Sequence, residues 1–264
     1  MAQCDISVRC RTRGRGGERG NDHPRHPGAA PRRTVTELAA LTSPEAGELA
    51  AAGALLAVPV GATEQHGPHL PLSTDSDLAV ALCARLAGAR PGVLAAPPLA
   101  YGASGEHEDF PGTLSIGTEA VELLLVELCR SATRAFSRVL LVSTHGGNAE
   151  AVRRAERRLR AESRDILAWL PAWEGDAHAG RAETSLELAL APDRVRLDRA
   201  EAGNTRPLTE LMPELRRSGV RAVSPNGVLG DPAGASAAEG AALLGRLVAD
   251  LLATVDAWEA RRTS

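Results

Sequence analysis

Histidines and carboxylates gathered in a few loops are the residues best suited to chemistry in this sequence. Two of the seven histidines lie within the first 33 residues, and the other five follow predicted strands: His66, His69, His107, His145 and His178. A single loop histidine is usually a surface residue. Five histidines in loops that share one side of a domain instead favour a common site.

The first loop, VGATEQHGPHLPLSTDSD, contains the strongest candidate metal ligands. Glu64 and His66 are two residues apart, so in extended chain their side chains point to the same side. Asp75 follows after a segment that two prolines stiffen. Imidazole and carboxylate groups suit Zn, Mn or Fe(II). The alternative is a polar turn with hydrogen-bonded carboxylates, and His69 is interpreted as a supporting residue.

Two later loops supply further candidates. His145 leaves a predicted strand in STHGGN, where a glycine pair allows close backbone approach but also suits a tight turn without a ligand. In DAHAGRAETS, His178 could donate a proton to a leaving amine, and Glu183 could bind metal or orient His178. Alternatively, Glu183 only complements the dipole of a helix that starts near Ala179.

Other catalytic mechanisms fit the sequence poorly. Residues 102–105 read Gly-Ala-Ser-Gly, which is not the G-x-S-x-G nucleophile elbow. The sequence has no P-loop, no strand-flanked G-x-G-x-x-G and no H-E-x-x-H motif. Metal-dependent hydrolysis therefore remains the favoured chemistry.

The hydrophobic pattern predicts the elements that position these loops. Strands are expected at 54–60, 93–96, 138–143 and 165–170, the last as a third central strand. Helices are expected at 78–87, 119–136, 148–162, 185–190 and 237–261. Strands that alternate with helices imply a mostly parallel sheet covered on both faces. Ligands bind outside the carboxyl ends of such strands, where four loops converge: 61–77, 97–117, 144–148 and 171–180.

Charge and composition divide the chain in two. The net charge is −3, but residues 1–33 hold eight Arg against three acidic residues. This Arg/Gly/Pro-rich segment is predicted to be a disordered tail, with RNA or anionic-surface binding as the alternative. Residues 34–264 are predicted to form one catalytic domain, whose slightly acidic balance does not suggest a nucleic-acid partner.

The sequence also predicts a cytoplasmic protein. No apolar run approaches the roughly 18 residues needed to cross a membrane, and the basic N-terminus lacks the apolar region of a signal peptide. The four cysteines form no C-x-x-C pair.

We expect residues 1–33 to be dispensable for folding and catalysis, because they show no hydrophobic periodicity. A variant that begins at Thr34 should keep the melting temperature and turnover of the full chain. A large loss of either would indicate that the tail packs on the catalytic domain.

The first loop, the HGGN loop and the HAG-x-x-ETS segment together resemble the creatininase family of amidohydrolases. The resemblance extends from about Ala54 to the C-terminal helix. Three stretches are most similar to the family's branch of mycofactocin-system peptidases: AYGASGEHEDFPGTLSIGTEA, LLLVELCRSA and NGVLGDPAGASAAEG.

This resemblance implies a three-layer α/β/α sandwich, often assembled as a homo-oligomeric hexamer. It implies one or two divalent ions held by residues that match family ligand positions, and a proton-transfer role for His178. The ligand positions are Glu64, His66, Asp75 and His145, and Glu183 could complete the set.

The implied substrate is a ribosomal precursor peptide, from which metal-activated water would release the modified C-terminal Val-Tyr dipeptide. A creatininase-like hydrolase of a cyclic amide or formamide is the first alternative. A non-catalytic, metal-bound scaffold is the second.

Two positions depart from the family pattern. Creatininase has a metal-binding glutamate where this chain has Gly147, which puts the ligands of a second ion in question. The usual Asn-Gly before the histidine is Ser143-Thr144 here, which changes the backbone freedom of the loop without removing a ligand.

Overall fold

The computed structural model describes residues 37–172 and 175–261. The predicted disordered tail, residues 1–33, lies outside the described residues. Within the described ranges, every helix is too short or too polar to cross a membrane.

In the part of the chain that the structure describes, four parallel strands form the sheet: β1 (Leu55–Val60), β2 (Val93–Ala95), β3 (Arg138–Ser143) and β4 (Asp165–Trp169). Their order is β2-β1-β3-β4, so β1 and β3 are central. Both are apolar runs, as expected for strands covered on both faces. The prediction that residues 165–170 form a central strand was wrong, because β4 lies at the edge of the described sheet.

Among the described residues, seven α-helices accompany the sheet: α1 (Ser43–Ala51), α2 (Thr74–Ala89), α3 (Thr118–Ala132), α4 (Ala149–Ala161), α5 (Arg181–Leu190), α6 (Leu208–Val223) and α7 (Ala237–Ala260). Side chains alternate across each strand. Leu56 and Val58 therefore pack with α3 and α4, whereas Leu55 and Ala57 pack with α2 and α7. This confirms the predicted α/β/α sandwich.

Some helix boundaries differ from the hydrophobic pattern. Helix α2 begins at Thr74, four residues before the predicted start, so Asp75 lies in its first turn and not in the preceding loop. A carboxylate there is favoured by the helix dipole, which apolar periodicity does not register. Helix α6 was missed altogether, and it contains both Pro213 and a kink at Gly219, where φ is 72°.

Candidate functional site

The structure brings together the side chains predicted to bind metal. Glu64, His66, Asp75 and His145 are all at least 95% buried. The two oxygens of Asp75 face two imidazoles, with Oδ1 3.7 Å from His66 Nε2 and Oδ2 3.3 Å from His145 Nδ1. Glu64 Oε2 lies 3.3 Å from His145 Nε2, and Glu183 Oε2 lies 3.9 Å from His66 Nε2.

Close packing at the ends of β1 and β3 creates this cluster. A Cβ at Gly61 would lie 2.4 Å from Ser76 Oγ, so glycine allows the first turn of α2 to approach the end of β1. The Ser76 hydroxyl donates to the Ala62 carbonyl at 2.9 Å, and the Thr144 hydroxyl donates to the Asp75 carbonyl at 2.7 Å. These bonds join both loops to the helix that carries Asp75.

Hydrogen bonds to backbone carbonyls define the free nitrogen of each clustered histidine. His66 Nδ1 lies 3.2 Å from the Glu64 carbonyl oxygen, and His145 Nε2 lies 3.0 Å from that of Ala103. A carbonyl only accepts, so these nitrogens donate. The lone pairs of the neutral rings are therefore on His66 Nε2 and His145 Nδ1, which both face Asp75. Metal-binding histidines usually have such an arrangement.

The donor set fits a divalent cation. Three buried atoms in it have no hydrogen-bond partner: Glu64 Oε2, His66 Nε2 and Asp75 Oδ2. Unpaired buried polar atoms are uncommon in folded proteins. Ligand atoms of Glu64, His66 and Asp75 also lie within 4.8 Å of one another. Mixed imidazole and carboxylate donors suit Zn, Mn and Fe(II).

Several carboxylates and imidazoles are buried together in the cluster, and this shifts their pKa values. Burial raises the pKa of Glu64 to about 7. Burial lowers the pKa of His66, but the nearby carboxylates, Asp75 first, more than reverse this and raise it to about 10. For His145, Glu64 and Asp75 likewise outweigh burial and raise the pKa to about 10. The carboxylates therefore favour positive charge at these imidazoles, and a bound metal cation could supply that charge in place of the protons.

His178 lies beside the cluster in a fixed orientation. Its backbone exchanges hydrogen bonds with Leu229, and its Nε2 lies 2.8 Å from the Gln65 carbonyl oxygen. Nε2 therefore carries the hydrogen, and Nδ1 faces Glu64 Oε1 at 3.7 Å. Burial, then the nearby His66 and His107, lower the pKa of His178 well below its usual value.

Glu183 is in the first turn of α5, and the side chain of His69, from the loop between β1 and α2, contacts the same turn. Glu183 Oε2 accepts a hydrogen bond from the Ala179 backbone N–H at 2.5 Å, which holds the carboxylate on the His66 side of the cluster. Burial raises the pKa of Glu183. His69 Nε2 is hydrogen-bonded to the Thr184 hydroxyl at 2.9 Å, so His69 supports the helix that carries Glu183.

The geometry around Gly147 reveals a carboxylate that sequence reasoning did not select. A Cβ there would lie 2.2 Å from the Ala103 carbonyl oxygen and 2.4 Å from His145 Nε2, so no side chain fits. The same point is 2.8 Å from Glu106 Oε1. Glu106, in a short 3₁₀ turn at Gly105–His107, thus occupies the space beside His145. The adjacent His107 was the only sequence signal for this position.

A cavity of about 780 Å³ opens onto the cluster. Glu64, Asp75 and His145 of the cluster line it, and α6 contributes Leu208 and Met212. Helix α6 also places two cations, Arg216 and Arg217, on the lining. The cavity therefore combines a wall of carboxylates and histidines with a wall from α6 that is partly apolar and partly cationic, and it has space for an extended ligand.

Comparison with known proteins agrees with this geometry. Mycofactocin precursor peptide peptidase of Mycobacterium ulcerans (strain Agy99) is 48% identical over 236 residues, which cover 86% of this chain and 94% of the relative. The protein of the same name from Mycolicibacterium smegmatis (strain ATCC 700084 / mc(2)155) is 50% identical over 215 residues, covering 79% and 87%. A solved structure titled "Creatininase Mn" has a TM-score of 0.70 and 29% identity, covering 83% of this chain and 97% of that one.

The family model described as creatinine amidohydrolase matches residues 39–255, which include every clustered side chain described above. The three-layer fold, the buried candidate metal site and this match lead to one assignment: the chain belongs to the creatininase family of metal-dependent amide hydrolases.

Proposed function

We propose that this chain is a metal-dependent peptidase that releases the modified C-terminal Val-Tyr dipeptide from the mycofactocin precursor peptide. The observation that carries the proposal is the Asp75 carboxylate, whose two oxygens each face a histidine nitrogen free of other hydrogen bonds to the backbone. The substrate is proposed from the names of the two mycobacterial relatives. The partly apolar cavity is consistent with a peptide ligand.

The ligand set is proposed to divide into two halves that share Asp75. Glu64 and His145 would hold an ion on one side, and His66 and Glu183 on the other. Zn, Mn and Fe(II) are the candidate metals. When bound, a divalent ion lowers the pKa of a coordinated water from 15.7 to about 7 in favourable sites.

The chain's own residues are proposed to control proton transfer. His178 is neutral at pH 7 because its pKa is lowered, so it accepts a proton before it donates one. The atom that exchanges the proton is Nδ1, since Nε2 donates to the Gln65 carbonyl. His178 would therefore take a proton from the attacking water and deliver it to the departing amine.

We further propose that Glu106 supplies the carboxylate that cannot be present at position 147. Replacing Glu106 with glutamine keeps its shape but removes its charge beside His145. We expect Glu106→Gln to weaken binding of one metal ion by about 10- to 100-fold, the range found when supporting groups of metal sites are changed. Zinc titration monitored by calorimetry would measure this.

Glu108→Gln is the matched control, because Glu108 follows the same turn but is exposed and does not line the cavity. Unchanged zinc affinity in both variants would contradict the proposed role of Glu106.

Incubation of the protein with synthetic precursor peptide tests the proposed function. Modified and unmodified peptide would each be supplied with Fe(II), Zn or Mn, and products followed by mass spectrometry. Release of the modified dipeptide by the metal-loaded protein is expected. Binding without cleavage would indicate a scaffold, and hydrolysis of creatinine or a formamide without peptide cleavage would indicate the cyclic-amide alternative.

A homo-oligomer, by family resemblance a hexamer, is proposed as the working form in the cytoplasm. Large apolar side chains that are exposed in the single chain support self-association, including Tyr101, Leu114 and Leu123.

A further inference from the structure

The buried side chain of Gln65 contacts both histidines that flank the metal-ligand cluster. Its Nε2 lies 2.8 Å from His107 Nδ1, 3.1 Å from His178 Nε2 and 3.1 Å from the Gly227 carbonyl oxygen. An amide nitrogen has only two hydrogens for these three neighbours. The way in which they are shared determines the proton positions on the histidines.

The orientation of the Gln65 amide is set by two backbone groups. The Gly67 N–H donates to Oε1 at 2.9 Å, so the oxygen must be on that side. The Gly227 carbonyl only accepts, so Nε2 must face it. Gly227 has φ of 81°, and a Cβ there would lie 2.0 Å from Oε1. Glycine at 227 is thus required for the amide to occupy this place.

The two amide hydrogens can then be assigned. His178 Nε2 uses its own hydrogen for the Gln65 carbonyl, so the neutral ring has no lone pair there for the amide. The amide hydrogens go instead to Gly227 and to His107 Nδ1. His107 Nδ1 must therefore carry a lone pair, and the ring hydrogen of His107 is on Nε2.

The hydrogen on His107 Nε2 points towards the end of the cavity where Glu64 lies. His107 Nε2 lies 3.6 Å from Glu64 Oε1, and His107 lines the cavity alongside Glu64. His178 Nδ1 faces the same oxygen at 3.7 Å. The two imidazoles thus present opposite groups to one place, a donor from His107 and an acceptor from His178.

We propose that Gln65 is a positioning residue that holds His107 as the Nε2–H tautomer, so that His107 donates a hydrogen bond to the carbonyl oxygen of the scissile amide and does not bind metal. This rests on the proposed peptidase function. A neutral imidazole donor stabilises negative charge that develops on oxygen in the transition state. The ligand atoms of Glu64, His107 and His178 lie within 4.8 Å of one another, but in this tautomer Nδ1 accepts from Gln65 and Nε2 is protonated, so neither ring nitrogen of His107 offers a lone pair to a metal.

Histidine tautomers give a test that does not depend on turnover. In the full chain loaded with zinc and labelled with ¹⁵N-histidine, two-bond ¹H–¹⁵N spectra should show His107 and His178 as Nε2–H forms. In Gln65→Glu the carboxylate has no hydrogen to donate, so His107 should gain a proton on Nδ1. A wild-type His107 that carries its hydrogen on Nδ1, or that binds zinc, would overturn the proposal.

A kinetic arm separates positioning from a general structural effect. Gln65→Met resembles glutamine in length but cannot donate, and we expect it to keep its zinc and to lose about 10²- to 10³-fold in kcat, as when one oxyanion donor is removed. His107→Phe should lose as much. The double variant should lose no more than either, because Gln65 acts through His107. Additive losses, or loss of zinc from Gln65→Met, would contradict the proposal.

Failure of the proposal for Gln65 can be distinguished from failure of the proposed peptidase function. The tautomer and zinc measurements need no substrate, so they decide the role of Gln65 even if the precursor peptide is not cleaved. If Gln65→Met does not fold, the wild-type spectrum still decides between the two His107 tautomers.

Discussion

Replacing Asp75 with alanine is expected to remove bound metal and turnover together. The two oxygens of Asp75 face His66 and His145, at 3.7 and 3.3 Å. Its loss removes a ligand from each proposed half of the site and leaves the imidazoles without their shared carboxylate. No nucleophile elbow is present to sustain a metal-free mechanism.

Elemental analysis of purified Asp75→Ala should find the metal depleted, and the peptide assay should find no product above background. Asp75→Asn should behave similarly, since the amide keeps the shape but lacks the charge. Asp77→Ala is the matched control: Asp77 lies in the same helical turn but pairs with Ser73 and Arg194, away from the cluster. Full activity in metal-free protein would refute the metal mechanism.

His178→Ala is expected to fold and retain metal, yet to lose about two to four orders of magnitude in turnover. Amide cleavage needs a proton delivered to a poor leaving group, and His178 Nδ1 is the atom proposed to make this transfer. The loss should appear mainly in kcat, because the proton moves in the transition state. A metal ligand would behave differently, since its removal also weakens binding of the ion.

Metal content and steady-state rates of His178→Ala would be measured on the same preparation. A metal-depleted variant would identify His178 as a ligand, with Glu183 as its support. Ligand atoms of His66, His178 and Glu183 do lie within 4.8 Å of one another, so the measurement is decisive. Nearly unchanged turnover would indicate that the proton comes from water or another residue, with His107 as the next candidate.

Much of the architecture follows from local pattern. The apolar runs at 55–60 and 138–143 are strands because they are continuous, short and bounded by polar loops, as parallel strands buried on both faces require. Since parallel strands end at one edge, the loops that follow them had to meet there. The residue types in those loops then identified Glu64, His66, Asp75 and His145 as neighbours.

The remaining details of the site depend on long-range contacts, which the local sequence pattern does not reveal. Gln65 is joined to His107, His178 and Gly227 across 42, 113 and 162 residues of chain, so the proton positions on the histidines follow only from the folded arrangement. The same holds for Glu106, which reaches the space at Gly147 from another loop. Helix α6 contains Pro213 and a kink at Gly219, and its packing on the site determines which of its apolar and arginine side chains line the cavity.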